Sequence, residues 1–316
     1  MNNGYLHCGI IFKAGNLNYG ESVGNIMSLK KLSIEEKTFS YISRQALRYD
    51  IVRILDEECG YSKAEVGNAK GVVQFKEEST IDKYPEIDFF GYMKTEKKKS
   101  TKNDSPDQED KEENSKTKIR KAIVRISDAI SLEPFYNEID FSTNMGLASR
   151  VDGLDNDIYQ TEIHRSYYTY SITIDIAKLG IDENYSIQLS KEDKIKRLNA
   201  LLYAIKVLNR DIKGKRENLS PLFIIGGIYS SGNPFFYNKI KLSFSKDGVL
   251  INDQIINSVL ETKLFDGKSV EDNTYLGFSE NYFGNIDKIN LQNDRKGTIE
   301  KFFEELKSKI ANFYKD

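Results

Sequence analysis

An α+β fold built on an antiparallel sheet is what this 316-residue sequence predicts. Three observations carry the prediction. SYYTYSITIDIAKLG (166–180) alternates Tyr168, Tyr170, Ile172 and Ile174 against Thr169, Ser171, Thr173 and Asp175, the period of a half-buried strand. SKEDKIKRLNALLYAIKVLNRDIKG (190–214) places Ile195, Leu198, Leu202, Ile205 and Leu208 at helical spacing, with Ser190 as N-cap and Asp193 at the capping-box position. Strands and helices also follow one another irregularly around a large polar insertion, which suits a mixed, antiparallel layout.

In chain order, YLHCGIIFKA reads as a buried strand. GNLNYGESVGNIMSLKKLS is rich in Gly, Asn and Ser and reads as a long loop, the kind that is usually functional or disordered. FSYISRQALRYDIVRIL (39–55) reads as a helix capped by Ser40 or Ser43. Ala46, Leu47, Ile51, Ile54 and Leu55 form its apolar stripe, and Gly60 ends it. IDFFGYM (87–93) and IRKAIVRISDAISL (119–132) are strand-like. Between them, 94–118 holds no aliphatic or aromatic side chain and reads as a flexible hairpin tip or insertion. PLFIIGGIYSSGNPFF (221–236) is an apolar run entering a glycine-rich turn. FYNKIKLSF and GVLINDQ add strands, and TIEKFFEELKSKIANFY (298–314) is a last amphipathic helix. A βαβ-type core of ferredoxin or RNA-recognition type is compatible with this order.

Composition narrows the function. Net charge is −2, so no global basic field announces nucleic acid. Cys8 and Cys59 stand apart from each other and from His7 and His164, without the spacing of a zinc site, and read as two reduced thiols. No signal peptide opens the chain and no apolar run is long enough to span a membrane. No phosphate-loop, dinucleotide, nucleophile-elbow or zinc-protease motif is present. His7 and His164 lack an evident partner, and each reads more simply as a structural histidine than as a general base.

The first helix is more informative. Arg44 and Arg48 share one face at i and i+4 with no acidic residue three or four positions away, whereas Arg53 has Asp50 and Glu57 at helical spacing. Arg53 therefore reads as a surface ion pair and the other two as unmatched. The preceding loop, followed by Lys30 and Lys31, offers backbone N–H groups and small side chains at which a phosphate could settle, close to the positive end of the helix. The plainer alternative is a solvated charged face beside a flexible loop. The Gly226–Gly227 pair could likewise bring backbone near a ligand, although a structural turn is the plainer reading there.

NLNYGESVGNIMSLKKL, SYISRQALRYDI, VRISDAISLEPF, NMGLASRVDGLDNDIYQTEIH, SYYTYSITIDI and PLFIIGGIYSSGNPFF together resemble the DevR autoregulator family. That family supplies the backbone subunit of type I-B CRISPR Cascade, within the repeat-associated mysterious protein superfamily. SRQALRYDI and DNDIYQTEIH are the most specific stretches, and the final 80 residues add little. The resemblance implies a modified RNA-recognition palm (roughly 1–60 and 166–316), an inserted fingers subdomain (roughly 61–165, containing 94–118) and a thumb, in a single domain spanning 1–316. It implies a cytoplasmic, non-catalytic subunit that lines up in copies along a guide RNA, beside other Cascade subunits, and meets target DNA through guide pairing. No cofactor, metal or membrane is expected. The RNA-binding residues it implies are Asn16, Asn18, Asn25, Lys30, Lys31, Ser43, Arg44, Gln45 and Arg48. Asn144, Met145 and Arg150 in the fingers, and Gly226 and Gly227, come second. Two alternatives stay open. One is an RNA-cleaving relative using a loop aspartate such as Asp128, Asp152 or Asp155; the other is a transcriptional autoregulator, for which no clear helix-turn-helix is present.

Overall fold

In the computed structural model, which describes residues 4–69, 71–95, 117–150, 157–246 and 248–315, the apolar N-terminal run becomes strand β1 (Tyr5–Gly15). It is followed by α1 (Arg44–Glu57), β2 (Val124–Ile126), β3 (Ala129–Ser131), β4 (Arg165–Asp175), α2 (Lys191–Lys206) and β5 (Phe223–Tyr229). β6 (Thr274–Phe278) and α3 (Ile299–Lys315) complete the frame. β1 lies between β4 and β5, and β4 pairs on its other side with β2 and β3, all antiparallel. A β-α-β-β-α-β chain with strands in this order has ferredoxin-like connectivity. β6 extends the sheet beyond β5, and strands Lys37–Ile42 and Lys31–Ile34 extend it beyond β3.

Strand alternation sends two sets of side chains to two cores. Leu6, Ile10 and Phe12 of β1 and Tyr168, Ile172 and Ile174 of β4 join Leu47, Leu202 and Phe303 of the three helices. Ile11, Tyr167, Phe223 and Ile225 point the other way and join Phe236, Ile256 and Phe283. A second, four-stranded sheet pairs Glu138–Thr143, Ile158–Ile163, Ile26–Leu29 and Tyr19–Val23 in that order. Both sheets cross the subdomain limits drawn from the sequence at 61 and 165: β2 and β3 belong to the main sheet, and residues 19–29 to the second.

Several expectations are corrected by strand pairing. The long first loop is instead two hairpins, one turning at Gly24 (φ +59°) and one at Glu35 and Glu36 (φ +48° and +66°). Its residues pair largely as strands and do not form one open loop. Helix α2 stops at Lys206, and residues 209–218 form a hairpin whose turn, Lys213–Gly214, has two positive φ angles, as a type I′ turn requires. IDFFGYM is split between the short helix Pro85–Phe90 and the strand Tyr92–Thr95. That strand pairs with Thr117–Arg120, so the ends of the polar segment are a hairpin stem; its residues 96–116 lie outside the described residues. Lys94, placed in the flexible segment by its sequence, is fully buried, and its Nζ donates to the carbonyls of Ser79 and Glu77 at 2.7 and 3.1 Å. Gly226 and Gly227 are buried mid-strand in β5. A Cβ there would collide with the carbonyl oxygen of His7 or with that of Asn273, so the backbone they admit is the protein's own, not RNA.

His7 is structural. Its Nδ1 donates to the Ile172 carbonyl at 3.1 Å, its Nε2 accepts from the Phe236 N–H at 3.1 Å, and burial pushes its pKa down to about 4. Arg53 is not the surface pair its spacing suggests. It is buried, 2.9 Å from Glu57, and also donates to the carbonyl and side-chain oxygens of Asn209 at 2.9 and 2.7 Å. It thereby fastens α1 to the 209–218 hairpin. Arg53→Ala is therefore expected to lower stability by roughly 2 kcal/mol, since charged buried hydrogen bonds are lost. RNA affinity should stay near that of the parent; urea unfolding and a binding titration check the two halves. A loss under about 0.5 kcal/mol would return Arg53 to the class of exposed pairs.

Candidate nucleic-acid interface

Ser43 caps α1: its Oγ accepts from the Ala46 N–H at 3.4 Å and from Asn18 Nδ2 at 3.2 Å. Helical periodicity buries Leu47, Ile51 and Ile54 against the sheet, which turns Arg44, Gln45 and Arg48 away from the core. On β2, Val124 is buried, so alternation turns Arg125 outward. These side chains meet at a cleft of about 430 Å³, lined by Arg44, Gln45, Arg48, Phe90, Val124 and Arg125.

The charges in the cleft are unbalanced. Arg48 stacks over Phe90, 4.6 Å from the ring centroid, and lies 3.3 Å from Glu86. Both partners stand on the short helix Pro85–Phe90, so Arg48 is matched by tertiary structure although not by its own helix. Arg44 and Arg125 have no carboxylate within ion-pair distance among the described residues. Three arginines thus line the cleft and, among the described residues, only Arg48 has an ion-pair partner, a setting suited to phosphate. The helix N-terminus itself is less available than its sequence suggests: Asp128 Oδ1 already accepts from the Arg44 N–H at 2.6 Å. Arg125 was not singled out by sequence reasoning. Its only local signal is a lone cation between Val124 and Ile126, and its placement beside α1 depends on β2 pairing with β4.

Most of the other expected contacts are brought together elsewhere and have structural partners. Asn16 (φ +58°) accepts from the His164 N–H at 2.8 Å. Asn18 is buried, and its carbonyl accepts from the Lys30 N–H at 2.8 Å. Lys31 lies 2.6 Å from Glu162 and over the Phe135 ring, and Glu162 also accepts from the Leu29 N–H at 2.8 Å. His164 meets Ser40 Oγ at 2.7 Å. The TEIH stretch (161–164) is therefore a clamp joining the two sheets, and Asn16, Asn18, Lys31 and Ser43 belong to the fold's internal bonding. Lys30 is half-buried and does not line the cleft. Asn25 sits on an exposed turn, where its carbonyl accepts from the Gln160 N–H at 2.9 Å. Parallel pairing of Gln160 with Ile26, and antiparallel pairing of Ile158 with Thr143, bring Asn25 to the same sheet end as Asn144 and Met145. Asn144 Oδ1 accepts from the Asp157 N–H at 2.9 Å, Met145 is 59% exposed, and Arg150 is exposed. Asp152 and Asp155 lie outside the described residues.

A ferredoxin-like sheet bearing an arginine cleft at the start of its first helix defines a class, the α+β proteins with a cationic groove beside an antiparallel sheet. Residues 7–243 match the family described as CRISPR-associated negative auto-regulator DevR/Csa2, and the chain belongs to that family. It is 28% identical over 167 residues to "CRISPR-associated protein Cas7/Cst2/DevR" of Myxococcus xanthus (strain DK1622). That match covers 50% of this chain and 52% of the relative, so the chain spans about half the length of the curated relative it matches. The fold is similar to a chain of a solved CRISPR RNA-guided surveillance complex, with TM-score 0.59, 11% identity, and coverage of 96% of this chain and 99% of the other. A second such complex, described as pre-nicking, gives TM-score 0.58 at 10% identity, with coverage of 97% and 100%. At such identities the likeness is one of fold.

Proposed function

We propose that this chain is a non-catalytic backbone subunit of a type I-B Cascade surveillance complex, acting in the cytoplasm. In this reading the ferredoxin-like sheet and its helices are the palm, and the inserted hairpins supply fingers and thumb. Copies of the chain line up along one guide RNA, beside other subunits, and the guide pairs with target DNA. The observation that carries the reading is the cleft where Arg44, Arg48 and Arg125 converge, with no carboxylate within ion-pair distance of Arg44 or Arg125 among the described residues. Contacts of this kind hold phosphates and do not read bases, which suits a protein that must accept guides of any sequence.

A subunit that only holds RNA needs no reacting groups beside it. Asp128, beside the cleft, is bonded to the α1 N-terminus, and among the described residues no three His, Cys, Asp or Glu are grouped to hold a metal ion. The test is purification of the intact chain from cells that express a CRISPR array. RNA of one uniform length should co-purify, and a complementary RNA added with Mg²⁺ or Mn²⁺ should stay whole. Bound RNA of mixed lengths, or none, would overturn the guide-holding role. Cleavage abolished by Asp128→Ala would replace it with a ribonuclease.

A further inference from the structure

The main sheet has a second groove, on the face away from the three helices. Alternation in β4 puts Tyr168 and Tyr170 into the helix-side core and leaves Thr169 on the opposite face, where it lines a groove of about 560 Å³. Lys37, Tyr136, Asn238, Lys241 and Phe244 line it too. Large rings usually find cover in such a place, and these do not. Tyr136 is 73% exposed and Phe244 49%. Phe244 begins a run of rings: it lies 6.1 Å from Tyr167, Tyr167 lies 6.2 Å from Phe283, and Phe283 lies 6.4 Å from the exposed Tyr282. Lys13 Nζ sits 4.9 Å over the Tyr167 ring.

Cations that form no ion pair among the described residues flank these rings. Lys13, Lys37, Lys241 and Arg165 are exposed, and none has a carboxylate within ion-pair distance among the described residues. Two carboxylates, Glu35 and Glu133, line the groove as well; Glu133 accepts from Ser166 Oγ at 2.9 Å and the Tyr167 N–H at 3.3 Å, and neither lies within ion-pair distance of Lys37 or Lys241. Exposed rings interleaved with unmatched cations are the combination that binds single-stranded nucleic acid: the rings stack bases and the cations follow the backbone. A purely apolar groove for a protein segment would not need the cations.

We propose that this face is a second nucleic-acid site, at which unpaired bases of a single strand stack on Phe244 and Tyr136 while Lys37 and Lys241 meet the adjoining phosphates. The inference rests on the RNA-holding reading for its ligand class, but not on the arginine cleft, which lies beside α1. Stacking of this kind tolerates any base, so it is compatible with guides of varied sequence.

The chain has no tryptophan, so Phe244→Trp places a single indole at the groove. The full chain carrying it is titrated with oligouridylate and with an abasic oligomer of equal length, which keeps the phosphates and lacks the bases. Oligouridylate should quench the indole strongly and the abasic oligomer hardly at all. Phe244→Ala and Tyr136→Ala, both at exposed rings, should each weaken oligouridylate binding roughly tenfold and leave abasic binding unchanged. Equal affinity of the parent for both oligomers, with an unquenched indole, would overturn the stacking site and leave the phosphate-holding cleft intact. Quenching that follows protein concentration without RNA would make the groove a contact between copies and also overturn it. Failure of the parent to bind either oligomer would overturn this site and the RNA-holding function together.

Discussion

Arg44→Glu combined with Arg125→Glu is expected to weaken binding of any single-stranded RNA by roughly 25-fold or more at about 0.1 M salt, and to flatten the log–log salt dependence by about 1.4. The numbers follow from counterion release at about 0.7 per neutralised phosphate on a single strand, since the double variant leaves two phosphates without their guanidinium. Neither guanidinium has a carboxylate partner among the described residues, so neither supports the fold through an ion pair, and the urea midpoint should hardly move. The effect should be uniform across RNA sequences, because phosphate contacts carry no base information. Arg48→Glu is a different experiment. It would set a carboxylate beside Glu86 and remove the guanidinium from the Phe90 ring, so some stability should be lost along with affinity. An unchanged salt slope in the Arg44/Arg125 double variant would mean that the cleft is not where RNA phosphates lie.

The contrast between Arg44 and Arg48 shows where sequence reasoning succeeds and stops. Elements fixed by local periodicity were legible: β1, β4, α1, α2 and α3 are present where apolar spacing places them, although α2 ends at Lys206 rather than near 214; Ser190 caps α2, and of Ser40 and Ser43 it is Ser43 that caps α1. Pairings across long sequence gaps were not legible. Arg48 finds Glu86 on another helix, Arg53 finds Asn209, and Lys31 finds Glu162; none of these partners lies within a helical turn. The first loop misled for the same reason. Gly, Asn and Ser favour turns, and two turns are present, but the residues between them are held as strands by neighbours that local pattern cannot name. Gly226–Gly227 misled in the opposite direction. Glycine signals close approach without saying of what, and here it is the backbone at His7 and Asn273. The cleft was half legible: Arg44, Gln45 and Arg48 are visible on one helix, while Arg125 joins them only through the sheet register.

Asp88→Ala is expected to be the most destabilising single change near the cleft, by about 3–5 kcal/mol, the usual result of leaving a buried charge without its partner. Asp88 is completely buried, with Oδ1 2.7 Å from Arg120 and Oδ2 2.9 Å from Arg197, and it also accepts from the Gly180 N–H at 3.0 Å. Both guanidinium groups are themselves nearly buried, at 8% and 6% side-chain exposure, so water cannot readily replace the lost carboxylate. The bonds run from the short helix Pro85–Phe90 to strand Thr117–Arg120, to the turn at Gly180 and to α2, which makes Asp88 the point where the inserted hairpins are fastened to the main sheet's helices. Glu86 and Phe90, the partners of Arg48, stand on the same short helix. Loss of Asp88 should therefore loosen one wall of the cleft, and RNA affinity should fall together with the urea midpoint. That correlation separates it from the Arg44/Arg125 variant, in which affinity falls and the midpoint does not. If Asp88→Ala unfolds at the parent's denaturant concentration, the two arginines have found other partners or water, and Asp88 does not organise this part of the fold.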